Sequence, residues 1–138
     1  HTPDALDKVL AALSKQVPKQ LICIVGCGGN RDQGKRPEMA RVVARWADRV
    51  WFTSDNPRDE DPDSILRDML SGLTTQQQRS VCVEQNRADA IAQAIQSAGS
   101  EDVILIAGKG HESTQEIAGT KHPFSDAEVV REFMKENA

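Results

Sequence analysis

Leu21-Ile22-Cys23-Ile24-Val25-Gly26-Cys27-Gly28-Gly29-Asn30-Arg31-Asp32-Gln33-Gly34-Lys35-Arg36-Pro37 is the stretch that decides the architecture. Its first five residues are a continuous apolar run, the pattern of a strand covered on both faces of a parallel sheet. A glycine-rich loop follows. Pro37 then starts a helix to about residue 47, with Met39, Val42, Val43 and Trp46 on its apolar side. Strand, glycine loop and helix make the first half of a βαβ unit.

The same alternation extends in both directions. Upstream, Thr2 is an N-cap, Pro3 suits the first helical position, and Leu6, Val9, Leu10 and Leu13 give a helix over 3–16 that Pro18 ends. Downstream, Val50–Thr53 is a second buried strand, and a helix over 62–71 opens on acids and closes at Gly72. Residues 74–80 read as a polar loop and 81–83 as a short third strand. Asn86 caps a helix over 87–98. Residues 102–107 form a fourth strand, 113–124 a hairpin turning at Gly119-Thr120, and Ser125 caps a last helix from 126 to about 136. The pattern predicts one α/β domain over 1–138, with a mostly parallel sheet and flanking helices.

Bulk properties bound the function. The 138 residues, 38% hydrophobic and 28% charged, are enough to bury a core without staples. A net charge of −4 argues against a general nucleic-acid binder. No apolar run reaches the ~20 residues a membrane helix needs. Three cysteines, Cys23, Cys27 and Cys82, lack paired spacing, which points to structural thiols in a reducing compartment, the cytoplasm. With no C-x-x-C and three scattered histidines, no metal site is expected. The absence of an initiator methionine, with His1 directly before a helix start, suggests a piece of a longer chain.

Three loops leave the carboxyl ends of strands: 26–36, 54–59 and 108–112. On a parallel sheet these share one rim, where ligands collect. Gly29 to Lys35 has the G-x-x-x-x-G-K spacing of a phosphate-cradling loop, but Arg36 stands where Ser or Thr should bind Mg²⁺. A dinucleotide fingerprint fails as well, with Arg31 in place of the third glycine. What remains is a loop carrying Arg31, Asp32, Lys35 and Arg36. Asp55-Asn56-Pro57-Arg58 combines turn formers, a stiffening proline and a planar fork of donors; an ordinary polar loop is the alternative. The third loop offers Gly108, Lys109, His111 and Glu112, with His111 either a general base or a structural hydrogen bonder. No nucleophile–base arrangement or acid/base carboxylate pair stands out, so no catalytic residue is assigned. Together the rim offers two arginines for two carboxylates, and acidic and amide groups for ammonium. That is the complement of a molecule with two zwitterionic ends.

Gly26 to Pro37, Asp55-Asn56-Pro57-Arg58 and Ala107-Gly108-Lys109-Gly110-His111-Glu112, taken together, resemble the C-terminal domain of the Mur ligases, in the branch that adds meso-diaminopimelate. The resemblance runs essentially end to end and implies a Rossmann-like fold. It implies that Arg31, Asp55, Asn56, Pro57, Arg58, Gly108 and Glu112 bind meso-diaminopimelate and that Lys35 lies near the nucleotide or acyl phosphate. It also implies an ATP- and Mg²⁺-dependent ligation onto UDP-MurNAc-L-Ala-D-Glu in peptidoglycan synthesis, within a three-domain enzyme whose other domains hold most of the ATP site. Alone, the domain is expected to be inactive. A free-standing binding or regulatory module of the same fold is the competing reading, and a nucleotide-binding domain with its own activity is a third.

Overall fold

The computed structural model describes residues 2–109 and 112–136. In chain order the elements are α1 (Pro3–Ser14), β1 (Leu21–Cys27), α2 (Lys35–Trp46), β2 (Arg49–Ser54), α3 (Pro62–Leu70), α4 (Thr75–Ser80), β3 (Cys82–Val83), α5 (Arg87–Ser97), β4 (Val103–Ile106), β5 (Thr114–Ile117), β6 (Thr120–Pro123) and α6 (Asp126–Glu136). Four strands form one sheet in the order β3-β2-β1-β4. All of its pairings are parallel, with Cys23 opposite Val50 on one side and Leu105 on the other. β5 and β6 form a separate antiparallel hairpin.

The apolar run of β1 divides between two cores. Cys23 and Val25 face one, with Phe52 and with Leu10, Ala40, Val43 and Met69 from α1, α2 and α3. Ile22 and Ile24 face the other, with Trp51 and with Ala90, Ile91 and Ala94 of α5. Ile22 through Val25 are fully buried. Both faces need apolar side chains, so the sequence shows no alternation there. Among the described residues no helix is long and apolar enough to cross a membrane.

Three expectations are corrected. Residues 74–80 hold a helix, not a loop. None of its residues is buried, so it carries no apolar periodicity. It is held by a capping box in which Gln77 N–H donates to Thr74 Oγ1 and Thr74 N–H donates to Gln77 Oε1. The hairpin turns at Ala118-Gly119, one residue early, because both adopt positive φ (50° and 78°) and Ile117 pairs with Thr120. α2 starts at Lys35, before Pro37. Asp32 Oδ1 accepts from Gly34 N–H and the Asp32 carbonyl from Lys35 N–H, so the chain is already turning there. Pro37 falls in the first turn, where a missing N–H costs nothing.

Candidate functional site

Parallel strands β1, β2 and β4 end at the same edge, and three buried cations hold that edge together. Arg36 on α2 is 1% exposed. It pairs with Glu60 (2.8 Å) and Asp68 (2.9 Å) and donates to the Gly28 carbonyl just past β1. Arg87 on α5, also 1% exposed, pairs with Asp126 and donates to the carbonyls of Ser54 and Ala107, at the ends of β2 and β4. Lys109, 2% exposed, donates to Asn56 Oδ1 (2.9 Å) and the Thr114 carbonyl (3.0 Å) and lies 3.0 Å from Asp55 Oδ1. A buried cation persists only where partners replace its water, and each of these finds them in the helices and loops it joins.

Between the loops lies a cavity of about 490 Å³, lined by the first loop and by Asp55, Asn56, Arg58 and Glu112. Gly29 ties the first loop to the second. Its N–H donates to the Asn56 carbonyl at 2.7 Å, and a Cβ there would stand 1.8 Å from the Pro57 carbonyl oxygen. Only glycine permits that approach. Arg58 has φ of 55°, held by backbone pairing of its N–H with the Glu116 carbonyl and its C=O with Ala118 N–H. Its Nη1 donates to the Gly29 carbonyl at 2.8 Å and its Nε lies 3.5 Å from Glu116 Oε1. Among the described residues its Nη2 has no partner, which leaves donor capacity toward the cavity.

The structure brings Arg31, Lys35, Asp55, Asn56, Arg58 and Glu112 to one cavity. Pro57 and Gly108 do not line it. Pro57 is buried behind the loop, facing a second cavity, and Gly108 is half-buried with φ of 114°. Arg31 and Lys35 are exposed on the rim. Asp55 is buried, its carboxylate beside Lys109. Glu112 keeps 41% of its side chain exposed, with Oε1 3.4 Å from Asn56 Nδ2. The general-base role suggested for His111 lies outside the described residues.

Arg36 is not the loop cation that the sequence suggested but a buried brace inside a helix. Burial counts among the forces on its guanidinium, but the Glu60 hydrogen bond dominates and raises its pKa, while that same bond leads in lowering the pKa of Glu60. Burial pushes the Cys23 and Cys27 thiols up to about 12, so neither is a nucleophile. The loop does not cradle phosphate. The N–H groups of Gly29, Asn30, Gly34, Lys35 and Arg36 already donate to Asn56, Glu60, Asp32, Asp32 and Gln33. A phosphate-binding loop needs such groups free. Sequence reasoning named Lys109 only as one of the third loop's polar groups and passed over Arg87, since an arginine after an N-cap reads as solvated.

The family model described as "Mur ligase, glutamate ligase domain" matches residues 1–110. A UDP-N-acetylmuramoyl-L-alanyl-D-glutamate--2,6-diaminopimelate ligase of Xylella fastidiosa (strain 9a5c) is 53% identical over 134 residues, covering 97% of this chain and 27% of the relative. One of the same description from Ectopseudomonas mendocina (strain ymp) is 54% identical over 126 residues, covering 91% and 26%. A solved structure described as that ligase matches with a TM-score of 0.94 at 44% identity, covering 99% of this chain and 28% of that one. The chain thus spans about a quarter of the length of the curated relatives it matches. With the family model covering most of the chain and the solved structure superposing along nearly all of it, this chain belongs to the Mur ligase family, as its glutamate ligase domain.

Proposed function

We propose that this chain is the amino-acid-binding domain of a longer, three-domain, ATP-dependent ligase of the cytoplasm, which adds meso-diaminopimelate to UDP-MurNAc-L-Ala-D-Glu in peptidoglycan synthesis. The observation that carries the reading is one cavity lined by two arginines, Arg31 and Arg58, together with the Glu112 carboxylate. Arg58 takes the distal carboxylate of the amino acid with the donors it has left, Arg31 supports it from the rim, and Glu112 accepts from the ammonium. Asp55 and Asn56 shape the wall, Pro57 stiffens it from behind, and Gly108 offers backbone at the edge. Lys35 stands at the mouth, toward the nucleotide and acyl phosphate. L-lysine, which lacks the distal carboxylate, leaves the remaining Arg58 donors without an acceptor, although Glu116 still faces Nε at 3.5 Å. For this partly buried side chain the loss is that of a hydrogen bond to a charged group, about 1.5–3 kcal/mol.

In this reaction the amine nitrogen forms a bond to the acyl carbon of the activated D-glutamyl group, the carbon–oxygen bond to phosphate breaks, and the amine gives up a proton. This chain contributes orientation and exclusion of water, and no group of it takes a covalent part. Among the described residues no group of three or more His, Cys, Asp or Glu side chains is placed to hold a metal ion. We infer that the Mg²⁺ of the family's chemistry, like most of the contacts to ATP, is held by the rest of the ligase.

Amide shifts of the ¹⁵N-labelled chain, titrated in parallel with meso-diaminopimelate and L-lysine, test this. The expected result is a response at Arg31, Asn56, Arg58 and Glu112 to meso-diaminopimelate alone, abolished by Arg58→Ala. An equal response to both ligands rejects the selectivity. Silence with both, in this chain and in the full-length ligase, rejects the amino-acid site.

A further inference from the structure

We propose that Lys109 is a positioning residue that sets the polarity of Asn56, so that Asn56 offers an N–H to the cavity and reads a carboxylate oxygen. The inference rests on the cavity being an amino-acid site. It reverses the pairing of amide with ammonium that the residue types alone suggest.

The assignment follows from which groups can only donate. One atom of the Asn56 amide stands 2.9 Å from Lys109 Nζ and 2.9 Å from the backbone nitrogen of Glu116. An ammonium and a peptide N–H have no acceptor capacity, so the atom between them is the oxygen. The amide nitrogen then points the other way, toward Glu112 Oε1 at 3.4 Å and the cavity both residues line. Turning the amide over would set an NH₂ group against two donors in a buried place. The Lys109 ammonium donates to Asn56 Oδ1 and the Thr114 carbonyl at 2.9 and 3.0 Å, with Asp55 Oδ1 as its counter-charge at 3.0 Å. Glu112 Oε1, at 3.9 Å, is beyond hydrogen-bond reach. Lys109 therefore holds Asn56 from within and touches no ligand itself.

The consequence is a division of the cavity wall. Asn56 Nδ2, Arg58 and Arg31 are donors, and the Glu112 carboxylate is an acceptor beside them, while Asp55 faces Lys109 and Asp32 accepts from the Gly34 N–H. A carboxylate seated against Arg58 gains a further N–H from Asn56. An ammonium in the same place would meet only donors, and it finds its acceptor at Glu112. The pair Lys109–Asn56 thus helps decide which end of an amphoteric ligand enters.

The decisive variant is Asn56→Asp. It keeps an oxygen between Lys109 and the Glu116 N–H, so the loop stays folded, and it replaces the outward N–H by an oxygen. The expected result is a wild-type Tm with meso-diaminopimelate binding weakened roughly 10- to 100-fold, the size of one lost hydrogen bond to a charged group. Binding within twofold of wild type overturns the proposal. A double-mutant cycle of Lys109→Met and Asn56→Ala separates positioning from general loosening. If Lys109 acts through Asn56, Lys109→Met weakens binding in the wild-type background and adds little in the Asn56→Ala background, and additive losses overturn it. A ligand-free measurement stands apart from the amino-acid reading: nuclear Overhauser contacts of the Asn56 Nδ2 protons. Contact with the Glu112 side chain is expected, and contact with the Glu116 amide proton overturns the polarity. If the Glu112 contact is present and wild type fails to bind meso-diaminopimelate, the ligand reading falls while the polarity stands.

Discussion

The two carboxylate oxygens of Asp126 lie 2.7 and 2.8 Å from Nε and Nη2 of Arg87, a bidentate pair that joins α6 to α5 beneath the rim. The remaining Arg87 donors reach the carbonyls of Ser54 and Ala107, so one side chain fixes the ends of β2 and β4 relative to each other. Asp126→Ala leaves a buried guanidinium without its anion and is expected to destabilise the fold by about 3–5 kcal/mol. Replacing both partners together, with Arg87→Met and Asp126→Leu, is expected to cost less than Asp126→Ala alone. Urea unfolding of the three variants checks the order.

The Glu60–Arg36 pair predicts acid sensitivity of the first loop. The Arg36 hydrogen bond, followed by the Asn30 N–H, holds the Glu60 carboxyl below its ordinary 4.5 in the folded chain. A carboxyl with a depressed folded value contributes its stability in full above the unfolded value and loses it as pH falls through the folded one. Unfolding free energy is therefore expected to drop below about pH 4.5, and Glu60→Gln is expected to flatten that limb. A pH series of denaturant midpoints for both proteins is the measurement.

Gly29→Ala tests the contact between the first two loops. Its Cβ would stand 1.8 Å from one backbone oxygen, which no rotamer change can relieve. The loops have to separate and break the Gly29–Asn56 hydrogen bond. A loss of about 1–3 kcal/mol is expected, in the range of overpacked sites. Amide shift changes should spread through residues 54–59, while the β1 interior stays unchanged.

Arg58 carries backbone strain at φ of 55°. A left-handed residue other than glycine costs roughly 1–2 kcal/mol, part of which glycine's greater freedom in the unfolded chain returns. Arg58→Gly is thus expected to be about 1 kcal/mol more stable than Arg58→Ala, although both lose the guanidinium and bind no meso-diaminopimelate. Thermal unfolding together with the titration above separates the two properties.

Thiol chemistry should single out Cys82. It is exposed, whereas burial holds the Cys23 and Cys27 thiols at about 12, so both stay protonated at neutral pH. Native alkylation near pH 8 is expected to modify Cys82 alone, with the other two reacting only after denaturant is added. Mass spectrometry of the labelled chain reads this directly. Because the two buried thiols hold their protons up to higher pH than in the unfolded chain, stability is also expected to fall as pH rises from 9 toward 12.

Local chemistry carried much of this protein into its sequence. The unbroken apolar run of β1 specified burial on both faces, Thr2 and Asn86 announced their helices, and Asp55–Arg58 lay at a strand end as its flanks required. These features depend on neighbours within a few residues, so a linear reading reaches them. α4 was equally local, in the Thr74–Gln77 capping box, and was passed over because the reading followed apolar periodicity. The three buried cations were of another kind. Arg36 finds its anions 24 and 32 residues away, Arg87 finds Asp126 at 39, and Lys109 reaches Asn56 at 53. In the chain each reads as an ordinary exposed charge. Only tertiary packing, by removing water and supplying acceptors from distant loops, turns them into the braces of the rim and decides which way the Asn56 amide points.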